Sequence, residues 1–287
     1  MLPRRHIRIK VFQSLYSYSQ QKGQSPIKEE FEKNLIAYTE LYYLIIYLLL
    51  LLKKVAEEEI KIKKTNLRPT KEDLNPNEKF VKNKILKKIN LNTFKVQKFE
   101  NEKIKSVVKS IFQKIKKSKE YIKYMTSSKT EKEDEKYIII QILKNHVISS
   151  EKIHDFIEEY SIYWNDDLLI VYNMILEKLT NNLSLNNINL FRKKDDEDFA
   201  NELLKITIEK EDEISKKIYQ LVKNWDKERI AISDLIIMRM AIAEMIYIKT
   251  IPPRVTLDEY IEISKEYSGP KSKEFINGIL NNIMKDN

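Results

Sequence analysis

A chain of 287 residues has room for one large domain or two of ordinary size, and its 42% apolar content is enough for a real core. It contains no cysteine and only three glycines, which excludes disulfides, thiolate metal sites and a cysteine nucleophile. So few glycines also leave little scope for the tight turns of a phosphate-gripping α/β enzyme. The net charge of +9 favours nucleic acid or an anionic membrane as partner. Mutational drift toward AT-rich codons accounts for the overall balance equally well, so where the charges lie matters more than their total.

The first element is expected as an amphipathic helix from Arg4 to Gln20, with Ile7, Val11, Leu15 and Tyr18 at helical spacing. Arg4, Arg5, Arg8 and Lys10 cluster at its start, and no acidic residue precedes Glu29. Arg4 and Arg8 share a face at i, i+4 spacing. Arginine forks bind phosphate oxygens in pairs, and a helix N-terminus adds partial positive charge; a solvated basic helix end fits the same residues. The charged opening, Met1 to His6, is followed by no apolar signal core, so no secretion signal is expected.

After Gly23, Ser25 and Pro26 a second helix is expected from about Glu29 to Lys63. It contains twelve apolar residues in a row, Leu41 to Leu52. A membrane span needs about 20, and Glu40 and Lys53 close the run, so a helix buried on most sides is the better account. Asn66 to Asn77, with Pro69 and Pro76, is expected as a loop. From Lys79 to Lys129 the chain carries 16 lysines against Glu100, Glu102 and Glu120. Ile104, Val107, Val108, Ile111, Phe112 and Ile115 still keep a helical period there, so this is a lysine-coated helical region.

Further helices are expected near Glu131–Asn145, Ser150–Tyr160 and Asp166–Asn181, then a polar connector, Asn181 to Asn189. Beyond it, helices fit Asp195–Ile208, Glu211–Lys223, Ser233–Ile248, Leu257–Tyr267 and Lys271–Met284. Ser233 reads as an N-cap, Thr256 to Glu259 has capping-box form, and Ser268-Gly269-Pro270-Lys271 reads as a stop followed by a start. Leu235 to Ile248 is apolar almost all round and belongs at the centre of a bundle; its Arg239 and Glu244 need partners or an exit to solvent.

No catalytic constellation is present. His6, His146 and His154 form no metal-ligand spacing. Asp166-Asp167 and Asp195-Asp196 sit where helices begin, which the helix dipole explains without a general acid.

The opening, Arg4-Arg5-His6-Ile7-Arg8 through Gln13-Ser14-Leu15-Tyr16, resembles the first helix of the NusB family of transcription antitermination factors. Asn224 to Asp234, followed by Met238 to Glu244, looks like that family's central helix and its lead-in. Ile251 to Glu259 and Ser272 to Leu280 look like its last two helices, the Phe275-x-Asn277-Gly278-x-Leu280 ending being the most telling. The resemblance implies an all-α, NusB-like helical bundle with a large helical insertion after the first helix. Residues 1–20 would be the first helix, 21–190 the insertion and 191–287 the C-terminal helical domain. The insertion resembles the long form of the Bacteroidetes branch, including Asp73 to Asn77 and Ser161 to Asp167.

By the same resemblance the protein is not an enzyme, needs no cofactor and is cytoplasmic, with no integral membrane association. It would bind boxA-type single-stranded RNA of nascent ribosomal RNA transcripts together with NusE, a small-subunit ribosomal protein, within an RNA polymerase antitermination complex. Arg4, Arg5, Arg8 and Lys10, with Lys271, Lys273 and Phe275, would contact RNA, supplying cations for phosphates and a ring for stacking. Glu228 and Asp234 align with the family's NusE-facing side. Ile7 and Ile9 stand where the family commonly has Ala and Glu, and Glu274 where it often has a basic residue. Asn277 and Gly278 are expected to be structural, the glycine permitting close packing. Two other readings remain: a helical domain related to those of ribosomal RNA methyltransferases, and a membrane-anchored structural protein held by Leu41 to Leu52.

Overall fold

A computed structural model of the chain describes residues 1–21, 24–91, 96–128, 131–222 and 230–285. Among the described residues there are α-helices and short 3-10 and π-helical turns but no β-strand, as the helical periodicity requires. The described residues form two compact units, one of Met1–Leu35 with Asn189–Asn287 and one of Ile36–Ile188. The division falls within the second helix.

The first unit holds α1 (Arg4–Gln20), the start of α2 (Ile27–Lys64), α10 (Lys194–Glu209), α11 (Glu211–Leu221), α12 (Ile232–Tyr247), α13 (Pro253–Tyr267) and α14 (Ser272–Lys285). Helix α12 is its axis, touching α1, α10, α11, α13 and α14. Ile237, Met238, Met240, Ala241, Ile242 and Ala243 are fully enclosed, which is what a helix apolar on every side requires. Its two charged residues are both partnered: Arg239 Nη1 donates to Glu211 Oε1 at 2.5 Å and its Nε to Ser215 Oγ at 3.0 Å, while Glu244 is buried among donors described below. Helix α1 packs on α10 and α12, so the first segment of the chain docks against the last third.

Two cap expectations fail here. Helix α12 begins at Ile232 with Ala231 at the N-cap position, and Ser233 lies inside it. Helix α13 begins earlier than expected, with Pro253 at its first position, a place where proline's missing N–H costs nothing. Thr256 and Glu259 are therefore interior to the helix, where their side chains serve other partners instead of capping. The stop and start at Ser268 to Lys271 stands: α13 ends at Tyr267 and α14 begins at Ser272.

The second unit holds the rest of α2, α3 (Lys71–Leu74), α4 (Lys84–Lys88), α5 (Glu102–Lys116), α6 (Lys119–Thr126), α7 (Lys132–Ile142), α8 (Glu151–Tyr160) and α9 (Leu168–Thr180). The apolar run of α2 is its core: Leu41, Tyr42, Leu44, Ile45, Ile46, Leu48, Leu49 and Leu52 are each at most 1% exposed. By length and composition this helix could cross a membrane; here its apolar surface is covered by protein. The Trp164 indole N–H donates to the Ala37 carbonyl at 2.8 Å and the Tyr42 hydroxyl to the Leu185 carbonyl at 2.8 Å, so these buried polar atoms of the helix and its neighbours are satisfied.

The lysine-rich region folds as its period demands. Ile104, Val107, Val108, Ile111, Phe112 and Ile115 line the buried side of α5, Asn101 caps it by accepting from the Ile104 N–H at 2.8 Å, and the lysines face out. The expected loop from Asn66 to Asn77 contains the one-turn α3, closed by a reciprocal capping box between Thr70 and Asp73. Helix α7 continues into a π-helical turn, Leu143–Ile148, that keeps Leu143 and Val147 buried.

Candidate nucleic-acid interface

The basic start of α1 divides by burial. Pro3 precedes the helix, and the Leu2 N–H donates to the Leu190 carbonyl at 2.8 Å, fixing the chain where the arginines begin. The side chains of Arg4 and Arg5 are 41% and 48% exposed, whereas that of Arg8 is 3% exposed. Arg8 therefore does not belong to the RNA-facing set. Its Nε and Nη2 donate to Glu244 Oε2 and Oε1 at 2.8 and 2.6 Å, a two-point fork in the interior. The Glu244 carboxylate also accepts from the Thr256 hydroxyl at 2.8 Å and the Tyr260 hydroxyl at 3.1 Å. Burial opposes the Arg8 charge, and the hydrogen bonds and field of Glu244 outweigh it, raising its pKa. The same burial, reinforced by the Glu244 charge, pushes the Tyr260 hydroxyl well above its ordinary value.

Lys10 is a second correction. It is fully buried, and its Nζ donates to Asn34 Oδ1 at 2.8 Å and Gln13 Oε1 at 3.3 Å. A buried ammonium on neutral acceptors ties α1 to the start of α2 and presents no charge to a ligand. The physical reason for both corrections is geometric: Arg8 and Lys10 fall on the faces of α1 that α12 and α2 cover.

Arg4 and Arg5 remain at the surface and carry exchangeable partners. Arg4 Nε donates to Asp196 Oδ1 at 2.9 Å, and Arg5 donates from Nε and Nη2 to Glu259 at 2.8 and 3.0 Å. Phe199 of α10 lies beneath Arg4 and Arg8 alike, 5.3 and 5.1 Å from its ring centre. Arg5 holds the Glu259 carboxyl below the usual carboxylate range, by its hydrogen bond first and its charge second. Pro3, Arg4, Arg5, Ile251, Pro252 and Val255 frame an open concavity of about 610 Å³. Val255 is 47% exposed there, so the floor is partly apolar and the rim cationic.

Lys271, just before α14, and Lys273 within it are exposed, while Phe275 is half-buried. Glu262 of α13 lies in the field of both Arg5 and Lys273, after the hydrogen bond from Lys265 that chiefly lowers its pKa. One carboxylate thus sits within electrostatic range of the basic start of α1 and of α14.

The two residues expected to face a protein partner are not both on view. Asp234 is 5% exposed, with Ser233 Oγ 3.4 Å from its Oδ1, so it is an interior carboxylate and not a surface contact. Glu228 lies outside the described residues. Gly278 also departs from expectation: among the described residues a Cβ added there would meet nothing within 4 Å, so close packing does not explain it. Asn277 caps no neighbouring element; its Oδ1 accepts from Asn281 Nδ2 at 2.8 Å within the same helix. Among the described residues no group of His, Asp and Glu could hold a metal ion.

Sequence reasoning missed Glu244, Glu259, Phe199 and Tyr260 as partners of the arginines. The signal for Glu244 was present, since a lone acid in an apolar helix needs an opposite charge. Glu259 was hidden by its resemblance to a capping residue.

Comparison with known proteins bears on the whole arrangement. A family model described as the NusB family matches residues 134–285. The chain is 41% identical over 91 residues to the transcription antitermination protein NusB of Methylacidiphilum infernorum, covering 32% of this chain and 64% of that protein. It is 43% identical over 83 residues to the protein of the same name from Chloroherpeton thalassium, covering 29% of this chain and 39% of that one. With that of Salinibacter ruber it shares 39% over 89 residues, 31% of this chain and 56% of the relative. The chain thus spans between 39% and 64% of the length of these relatives. No solved structure matches it.

Proposed function

Because this chain belongs to the NusB family, we propose that it is a transcription antitermination factor that binds boxA-type single-stranded RNA in nascent ribosomal RNA transcripts. It acts in the cytoplasm with NusE, a small-subunit ribosomal protein, and joins an RNA polymerase antitermination complex. It performs no chemistry and needs no cofactor. The observation that carries the reading is the pairing of two surface arginines, Arg4 and Arg5, over a partly apolar concavity with the Lys271, Lys273 and Phe275 segment of α14 in the same unit.

The physics suits a single strand. Exposed ion pairs such as Arg4–Asp196 contribute little to stability, so phosphates can replace those carboxylates at low cost. A half-exposed ring supplies a sequence-tolerant stacking face, and the lysines supply phosphate partners. Arg8 and Lys10 support the surface from below by fixing α1 and do not touch RNA.

Titration of boxA-type RNA with and without NusE tests the reading. Binding that tightens when NusE is added, and weakens when Arg4 and Arg5 become alanine, supports it. Equal affinity for boxA-type and unrelated RNA, unaffected by NusE, overturns it.

A further inference from the structure

Helix α14 contains a glycine without an internal reason. Gly278 lies in the middle of Ser272–Lys285, is exposed, and adopts the same right-handed backbone as its neighbours. No described atom lies within 4 Å of the Cβ it lacks. Neither a left-handed backbone nor a close helix contact calls for it. A glycine in a helix interior weakens the helix relative to alanine, through backbone entropy and exposure of the peptide to water. Since nothing inside the protein recovers that loss, the bare strip of backbone is of use only to something outside.

The neighbours indicate its chemistry. Lys271, Phe275, Gly278 and Asn282 fall at i, i+4, i+7 and i+11, one line along the helix. Lys271 and Asn282 are exposed and Phe275 is half-buried. The Phe275 and Gly278 positions are about 4.5 Å apart along the axis. The line therefore offers a cation, an aromatic ring, an uncovered stretch of backbone and an amide in succession. Asn281 Nδ2 donates to the Asn277 carbonyl at 2.9 Å and to its Oδ1 at 2.8 Å, which ties that amide pair along the helix beside the strip. The exposed residues bordering it are cations and amides, with Glu274 the one acid, which favours a phosphate-bearing ligand over an apolar protein face.

We propose that Gly278 is the point where one nucleotide of a bound single-stranded RNA lies in van der Waals contact with the backbone of α14, its base against Phe275 and its ribose over the glycine. The inference rests on the RNA-binding reading and adds a residue to it. It predicts opposite signs for two measurements on one variant. Gly278→Ala should raise the melting temperature, by about 2 °C or more, while weakening boxA-type RNA about tenfold, equivalent to ~1.4 kcal/mol. Gly278→Leu should weaken binding further. The slope of affinity against salt should not change, because every phosphate keeps its cation.

The full-length wild type and Phe275→Ala, titrated alongside, separate the two levels. If the wild type binds and Phe275→Ala weakens it, but Gly278→Ala binds as tightly as wild type, the Gly278 inference is overturned and the RNA reading stands. If the wild type shows no preference for boxA-type RNA, the RNA reading falls and this inference with it. A lower melting temperature for Gly278→Ala would show that the glycine serves the fold. Loss of NusE binding with RNA affinity intact would assign the strip to a protein partner instead.

Discussion

The guanidinium of Arg8 and the carboxylate of Glu244, 236 residues apart in sequence, meet in the interior of the first unit through two hydrogen bonds of 2.8 and 2.6 Å. Their side chains are 3% and 0% exposed. The pair joins the first helix of the chain to the central one, and Tyr260 and Thr256 occupy the remaining acceptor positions of the carboxylate. What looked like the third member of a basic RNA-binding cluster is a clamp that sets where the first two stand.

Removing one side of that clamp leaves a buried charge without its partner. Arg8→Met or Glu244→Gln should each destabilise the first unit by about 3–5 kcal/mol. The combination Arg8→Met with Glu244→Leu should lose less than the sum of Arg8→Met and Glu244→Leu measured alone, with a coupling of about 0.5–3 kcal/mol. Hydrogen exchange in α1 and α12 reads the loss locally. Strict additivity would show that the two residues do not act as a pair.

The apolar axis makes a sharper demand. Met240 and Ile242 are both fully enclosed in α12. Replacing either with Asp places an unpaired carboxylate among apolar side chains, at a cost of several kcal/mol, and should unfold the first unit. A melting temperature equal to that of the wild type in either variant would contradict the central position of this helix.

The Arg5–Glu259 pair has a pH signature. Glu259 titrates below its ordinary value of 4.5, chiefly through the hydrogen bond from Arg5. A carboxylate whose pKa is lowered by folding adds stability that is fully present above the unfolded value and disappears as pH falls through the folded one. Glu259→Gln should therefore melt earlier than wild type at neutral pH, and the two should converge once the pH drops below the folded pKa. A gap of constant size across that range would refute the assignment. Since this carboxylate competes with phosphate for Arg5, the same variant should bind boxA-type RNA more tightly.

The RNA contacts separate by their salt dependence. Arg4→Ala with Arg5→Ala should weaken binding and flatten the slope by about 0.7 for each phosphate left without a cation. Phe275→Ala should lose about 1–3 kcal/mol of stacking with the slope nearly unchanged. Substituting exposed lysines of the second unit, such as Lys109, Lys117 and Lys123, is the control for general lysine attraction. If these variants lose affinity and the arginine and Phe275 variants keep it, the interface has been placed in the wrong unit.

Periodicity and composition determined the helices themselves. The spans of α1 and α5, the buried run Leu41 to Leu52 and the all-round apolar α12 follow from where Leu, Ile and Val recur, because a helix must bury its apolar stripe whatever it packs against. The need of Glu244 and Arg239 for partners was equally legible, since a charge in an apolar helix has few other outcomes. What the sequence could not contain was which face of α1 is covered. Arg4, Arg5, Arg8 and Lys10 are alike as a string of cations, and only the arrival of α12 and of the start of α2 from distant positions makes two of them structural and leaves two for a ligand. The same holds for Thr256 and Glu259, whose spacing mimics a cap until Pro253 starts the helix earlier and turns them toward Glu244 and Arg5. Local pattern decides what a segment becomes; burial is a property of segments that meet, and it decides which charges a partner can reach.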